Sequence, residues 1–160
     1  MIRDNDTLGA RLRFLARVIE RESHHLQVTD RRLFARPFTV EDAQRLEADE
    51  YLAERVEAFV SRFGRLQDTL GDKLLPAYLR AGGETPGLLV DNLDRAEKQG
   101  LIDSTEDWFT LRRLRNQMVH EYIEDPVILA AALNSGHDAV PTLVSTAERL
   151  RTDMRERGWL

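Results

Sequence analysis

The sequence predicts an all-α protein, an up-and-down bundle of about five helices. Three observations predict it: apolar residues recur at steps of three and four along most of the chain, Ser, Thr, Pro and Gly stand where helices would begin and end, and no stretch alternates with the two-residue period of a strand. With 160 residues, 42% hydrophobic and 32% charged, the chain fits one domain over 1–160 with a true core. No apolar run approaches the roughly 18 residues of a membrane span. Arg3, Asp4, Asp6, Arg11 and Arg13 scatter charge over the first turns, unlike a secretory leader. A cytoplasmic protein without membrane contact is expected.

The first helix is expected over Thr7 to Leu26, with Leu8, Leu12, Leu15, Val18 and Ile19 on one face. Val28 to Phe38 breaks that rhythm and reads as a loop; residues 1–38 form an N-terminal helix-and-loop elaboration with no assigned role. Pro37 disfavours helix at Arg36, and Thr39 with Asp42 reads as a capping box. A long second helix is expected from Val40 to Leu79, bent near Gly64, Gly71 or Pro76, and stopped at Ala81, Gly82 and Gly83. Thr85 and Pro86 would open a third helix to Gln99, closed by Gly100. Ser104 with Asp107 opens a fourth over Thr105 to Ile123, with Pro126 just after it. The last runs from Val127 to Glu156, with an interruption expected at Asn134 to Gly136 and at Pro141.

Cysteine is absent, and His24, His25, His120 and His137 are too dispersed to form a ligand motif, so no metal site and no cofactor are expected. Neighbouring His24 and His25 leave a helix about 100° apart and read as solvated surface. The pairs Glu41/Asp42 and Asp91/Asp94 read as helix-start charges rather than an acid–base dyad. At a net charge of −5 the whole chain does not attract nucleic acid; RNA would have to meet a local cluster of arginines.

Such a cluster lies on the fourth helix, in Leu111-Arg112-Arg113-Leu114-Arg115-Asn116-Gln117-Met118-Val119-His120-Glu121-Tyr122. Leu111, Leu114 and Met118 share the buried side, whereas Arg113, Asn116 and His120 stack on another. Arg115 and Tyr122, seven residues apart, border the two stripes. Phe109 falls on the His120 side and is a candidate for contact with a second copy. On one straight helix Arg115 and His120 leave about 140° apart. Convergence on one phosphate needs either a loosened helix end or two copies packed about a two-fold axis, and the second is expected.

Arg115, four residues, His120, one residue, Tyr122 resembles the Arg-X4-His-X-Tyr signature of HepT toxins in the HEPN superfamily, with Asn116 as the polar residue common after the arginine. The resemblance covers the last two-thirds of the chain. It implies a HEPN-like homodimer and a metal-independent endoribonuclease, paired with a minimal nucleotidyltransferase antitoxin that adds AMP to Tyr122. It implies catalytic roles for Arg115, His120 and Asn116. A histidine can take the ribose 2′-hydroxyl proton near neutral pH, and an arginine fork stabilises charge gathering on phosphorus. Asn116 would orient His120 or the phosphate, and Arg112 and Arg113 would hold the RNA backbone. A second reading from the same superfamily is a non-catalytic substrate-binding partner of a nucleotidyltransferase.

Overall fold

A computed structural model of the chain describes the backbone of residues 2–160 and the side chains of residues 7–120 and 124–160. Among these residues there is no strand; the elements are α1 Ile2–Leu33, α2 Val40–Gln44, α3 Glu50–Asp68, a π-helix Thr69–Leu74, α4 Leu75–Ala81, α5 Leu89–Lys98, α6 Thr105–Glu124 and α7 Pro126–Glu156. The chain is all-α as expected, but its helices differ from the expectation in four places.

First, α1 runs on through the first part of the stretch expected to be a loop and stops at Leu33, leaving residues 34–38 as the loop around Pro37. Leu26 and Leu33, seven residues apart, are both buried, so the apolar face continues. Thr29 between them is buried, with its hydroxyl donating to the His25 carbonyl at 3.1 Å and accepting from Arg62. Second, the helix expected over Val40–Leu79 is divided. The Thr39/Asp42 capping box forms in both directions, at 3.0 and 2.9 Å, but α2 ends after Gln44. Asp49 then caps α3 by accepting from the Leu52 N–H at 3.0 Å, because an aspartate that closes on backbone N–H groups makes a helix start where periodicity alone sees continuity.

Third, α5 begins at Leu89 rather than at Thr85 and Pro86. Buried Asn92 folds back to accept from the Gly87 N–H at 2.8 Å and donate to the Gly87 carbonyl at 3.2 Å, which holds the preceding segment in a turn. Fourth, α7 is not interrupted. Asn134 donates to the Ala130 carbonyl at 2.9 Å and to the Phe38 carbonyl at 2.8 Å, and accepts from the Phe38 N–H at 3.0 Å, so it ties the loop after α1 to α7 instead of breaking the helix. Gly136 marks a close approach: a Cβ there would lie 3.0 Å from Met118 Sδ and 3.2 Å from Phe59 Cε1.

Ser104 caps α6 through the Asp107 N–H at 3.2 Å, one half of the expected capping box, and Gly83 and Gly100 take positive φ after their helices as expected. Asp125, not singled out in the sequence, caps α7 ahead of Pro126 by accepting from the Val127 N–H at 2.9 Å. By length and composition α7 is apolar enough to cross a membrane, more apolar than expected from the sequence, and Leu129, Leu133, Val140 and Leu143 on it are buried in the core.

Cross-contacts fix the register. α1 is antiparallel to α3, with Glu22 at Thr69 and Thr29 at Arg62. α7 is antiparallel to α1, with Arg151 at Glu20 and His137 at Asp30. α6 is antiparallel to α3, with Trp108 against Gly71 and Arg115 against Gly64. The end of α1, the start of α3, the end of α6 and the start of α7 therefore gather at one end of the bundle. The core between them holds Phe59, Phe63, Leu66, Leu70, Leu133 and Leu143, all 1% exposed or less.

Asp42 anchors the corner at that end. It is 4% exposed, accepts the Arg36 fork at 3.0 and 2.8 Å, and is also paired with Arg45. Burial by itself would raise its pKa, but the Thr39 N–H and the Arg36 guanidinium outweigh it and hold the carboxyl at about 2. Asp42→Asn should lower the unfolding free energy by about 2 kcal/mol at pH 7, measured by urea denaturation. A native pKa below the ordinary value gives stabilisation that is present above the carboxylate range and lost as pH falls through about 2. The two proteins should therefore converge under acid, and a gap that does not shrink below pH 4 would contradict this account.

Candidate functional site

Three side chains of α6 rest on glycines of neighbouring helices. Trp108 covers Gly71 and Met118 covers Gly136, and the motif arginine lies closest of all: a Cβ on Gly64 would come within 2.6 Å of Arg115 Nε. Arg115 Nη1 donates to Asp68 Oδ1 at 2.7 Å, with the two side chains 33% and 38% exposed. Gly64 and Asp68 are one turn apart on α3 and together fix the guanidinium in place. Gly64 was expected to bend its helix; it serves as a seat instead. Neither partner of Arg115 is visible in the motif itself, and the only sequence signal is a glycine spent inside a helix, where it costs about 1 kcal/mol unless something packs closely on it.

Arg115 lines a groove of about 920 Å³ between α1, α3, the π-helix and α6. Leu15, Val60 and Met118 give it an apolar wall, and Phe14 and Val119 stand at it 52% and 57% exposed. Four cations (Arg11, Arg65, Lys73, Arg115) face four carboxylates (Glu22, Glu57, Asp68, Asp72), so the groove carries no net charge to draw in a polyanion. Glu22 is half-buried. Thr69 Oγ1 lies 3.1 Å from Glu22 Oε1, while Oε2 has no hydrogen-bond partner among the described residues. Burial pushes the Glu22 carboxyl above the ordinary range, against the opposing pull of Thr69 and Arg65.

The structure does not bring the other motif residues to Arg115. Asn116 and His120 are exposed and make no hydrogen bond or ion pair among the described residues. Asn116 therefore does not orient His120 within one chain. Arg113 is exposed and donates to Thr110 Oγ1 at 3.0 Å, a contact on its own helix, and Arg112 is half-buried. The Tyr122 side chain lies outside the described residues. α6 is helical through Glu124, so the alternative of a loosened helix end is not realised and Arg115 and His120 stay on different sides. Phe109 is partly buried and packs against the core; among the described residues, the exposed large apolar side chains near the α6–α7 corner are Val119, Val127 and Ile128.

His24 and His25 are exposed with ring centroids 5.4 Å apart at 63°. Among the described residues no group of three His, Asp or Glu side chains is arranged to hold a metal ion. Away from the groove, His137 Nδ1 lies 2.7 Å from Asp30 Oδ1 and its ring stacks on Phe34 at 4.6 Å.

Glu22→Gln should raise the melting temperature at pH 7. A carboxyl whose native pKa is raised disfavours the charged folded state, so its cost appears as pH rises through the carboxylate range. The advantage of the variant should shrink as pH is lowered toward 4, where the native glutamic acid is itself neutral. Equal melting temperatures at pH 7 would mean that the groove solvates the carboxylate. Comparison with protein-family models, curated proteins and solved structures found no match to this chain.

Proposed function

We propose that the chain is a HepT-like endoribonuclease toxin of the HEPN superfamily, acting without metal as a two-fold homodimer in the cytoplasm. One observation carries the reading. Arg115 is held over Gly64 by Asp68, while His120, five residues later on the same unbroken helix, is exposed and unpartnered among the described residues. In one chain these two groups diverge, and a second copy would place one chain's arginine beside the other's histidine. Val119, Val127 and Ile128, exposed around the α6–α7 corner, supply apolar surface for that contact.

In such a cleft neutral His120 takes the proton of a ribose 2′-hydroxyl as that oxygen attacks phosphorus. The 5′-oxygen then leaves with a proton from a protonated imidazole or from water. Arg115 keeps N–H donors beyond the one given to Asp68, and these stabilise the charge on the pentacovalent phosphate. Arg112 and Arg113 hold neighbouring phosphates with little sequence preference. AMP added to Tyr122 by a minimal nucleotidyltransferase would bring bulk and negative charge to the motif helix and block RNA without refolding the chain.

The second reading, a non-catalytic partner that presents its helices to a nucleotidyltransferase, is favoured by the same ion pair, since Asp68 already engages Arg115 in the lone chain. RNA degradation by the purified protein in chelator separates the two. His120→Ala and Arg115→Ala should each lower cleavage by about 100-fold or more. Gly64→Ala should lower it comparably by displacing Arg115 while leaving helix content by circular dichroism unchanged. Cleavage by His120→Ala equal to wild type would remove the ribonuclease reading.

A further inference from the structure

A second cleft, of about 420 Å³, lies where the end of α1, the Arg36–Phe38 loop, α2 and the start of α3 meet. Arg32, Arg36, Arg45 and Arg55 line it against two aspartates, on a chain whose net charge is −5. Four guanidinium groups against two carboxylates leave the lining with a net charge of +2. Asp42 is buried and engaged by Thr39, Arg36 and Arg45, and Asp49 accepts the Leu52 N–H as a helix cap. Arg32 and Arg55 are exposed and make no ion pair among the described residues. Arg36 and Arg45 remain 63% and 56% exposed while holding Asp42, and a guanidinium carries five N–H donors, of which Arg36 spends two and Arg45 one. Glu47, Glu50 and Glu54 lie on the same stretch of sequence but do not line the cleft.

The wall also holds Tyr51, 80% exposed, the most exposed large hydrophobic or aromatic side chain among the described residues. Folding does not explain an aromatic ring left in water beside a cluster of arginines. A ring that accepts a stacked base, next to guanidinium groups that hold phosphates, is how single-stranded nucleic acid is bound. The position fits. α3 and α6 are antiparallel, so counting from the Arg115–Gly64 contact, His120 lies about 7 Å and Arg55 about 13 Å toward the same end of the bundle.

We propose that this cleft is a subsite for single-stranded RNA, in which Tyr51 stacks on a base and Arg32 and Arg55 bind flanking phosphates. It extends the substrate path beyond the motif helix and rests on the ribonuclease reading above. It also gives the N-terminal segment a role in holding RNA.

The test uses the full chain carrying His120→Ala, so that RNA stays intact, and a fluorescein-labelled 12-nucleotide oligouridylate read by anisotropy. Adding Tyr51→Ala should weaken binding by about 10-fold, the loss of one base–aromatic stack. Adding Arg32→Gln with Arg55→Gln should weaken it too, and lower the slope of log K against log salt by about 1.4, the share of two phosphate contacts on a single strand. Arg36 and Arg45 stay in place because they hold Asp42, and circular dichroism checks that each variant is folded. If the parent binds and both variants keep its affinity and salt slope, the subsite is overturned, the cleft is left to a protein partner, and the ribonuclease reading stands. If the cleft variants lose binding but the protein with His120 intact does not cleave RNA, the subsite stands and the ribonuclease reading falls. If the parent binds no RNA, both are overturned.

Discussion

The architecture depends on how closely α6 can approach its neighbours. Trp108, Arg115 and Met118 each lie over a backbone with no Cβ, at Gly71, Gly64 and Gly136. A methyl group at any of these points would meet a side chain at 3.2 Å or less. Interiors packed to crystal-like density do not absorb such an intrusion without moving a side chain or a helix. The rotation of α6 about its axis is thereby set, and with it which face of the helix lines the groove and which faces out.

A helix held this way separates the residues of its own motif. Arg115 turns toward α3, where Asp68 receives it, and His120 turns toward solvent. Five residues of regular helix fix that divergence at about 140°, and continuity through Glu124 leaves no local distortion to undo it. If the two groups act on one phosphate, the missing geometry has to come from outside the chain, which is why the homodimer is part of the proposed mechanism. The ion pair itself is half-exposed, so its contribution to stability is small; its effect is to restrict where the guanidinium points.

Charge is distributed to match. The groove beside Arg115 balances cations against carboxylates, and the surplus of arginine lies instead at the end of the bundle where α1, α2 and α3 meet. Asp42 organises that corner. One buried carboxylate caps α2, binds the Arg36 fork and pairs with Arg45, so a structural anion holds two cations at the rim of a cleft. Asn134 secures the same corner from α7 by pairing with both backbone groups of Phe38. The first helix and its loop, unassigned from sequence, thus join the core and form one wall of the basic cleft.

The sequence by itself determined the all-helical class, the caps at Thr39 and Ser104, the glycine stops at Gly83 and Gly100, and the surface-facing stripe that carries Asn116 and His120. These are local matters, settled by side chains within four residues of the backbone groups they satisfy or by the period of the helix. Only the tertiary structure decided what lies across from each helix. Asn134 read as a breaker because its loop partner is 96 residues away; Gly64 and Gly136 read as bends or breaks because the side chains that need their space belong to α6. Asp68 could not be read as the partner of Arg115 for the same reason: a pairing 47 residues apart is a product of packing, and no spacing in the chain encodes it.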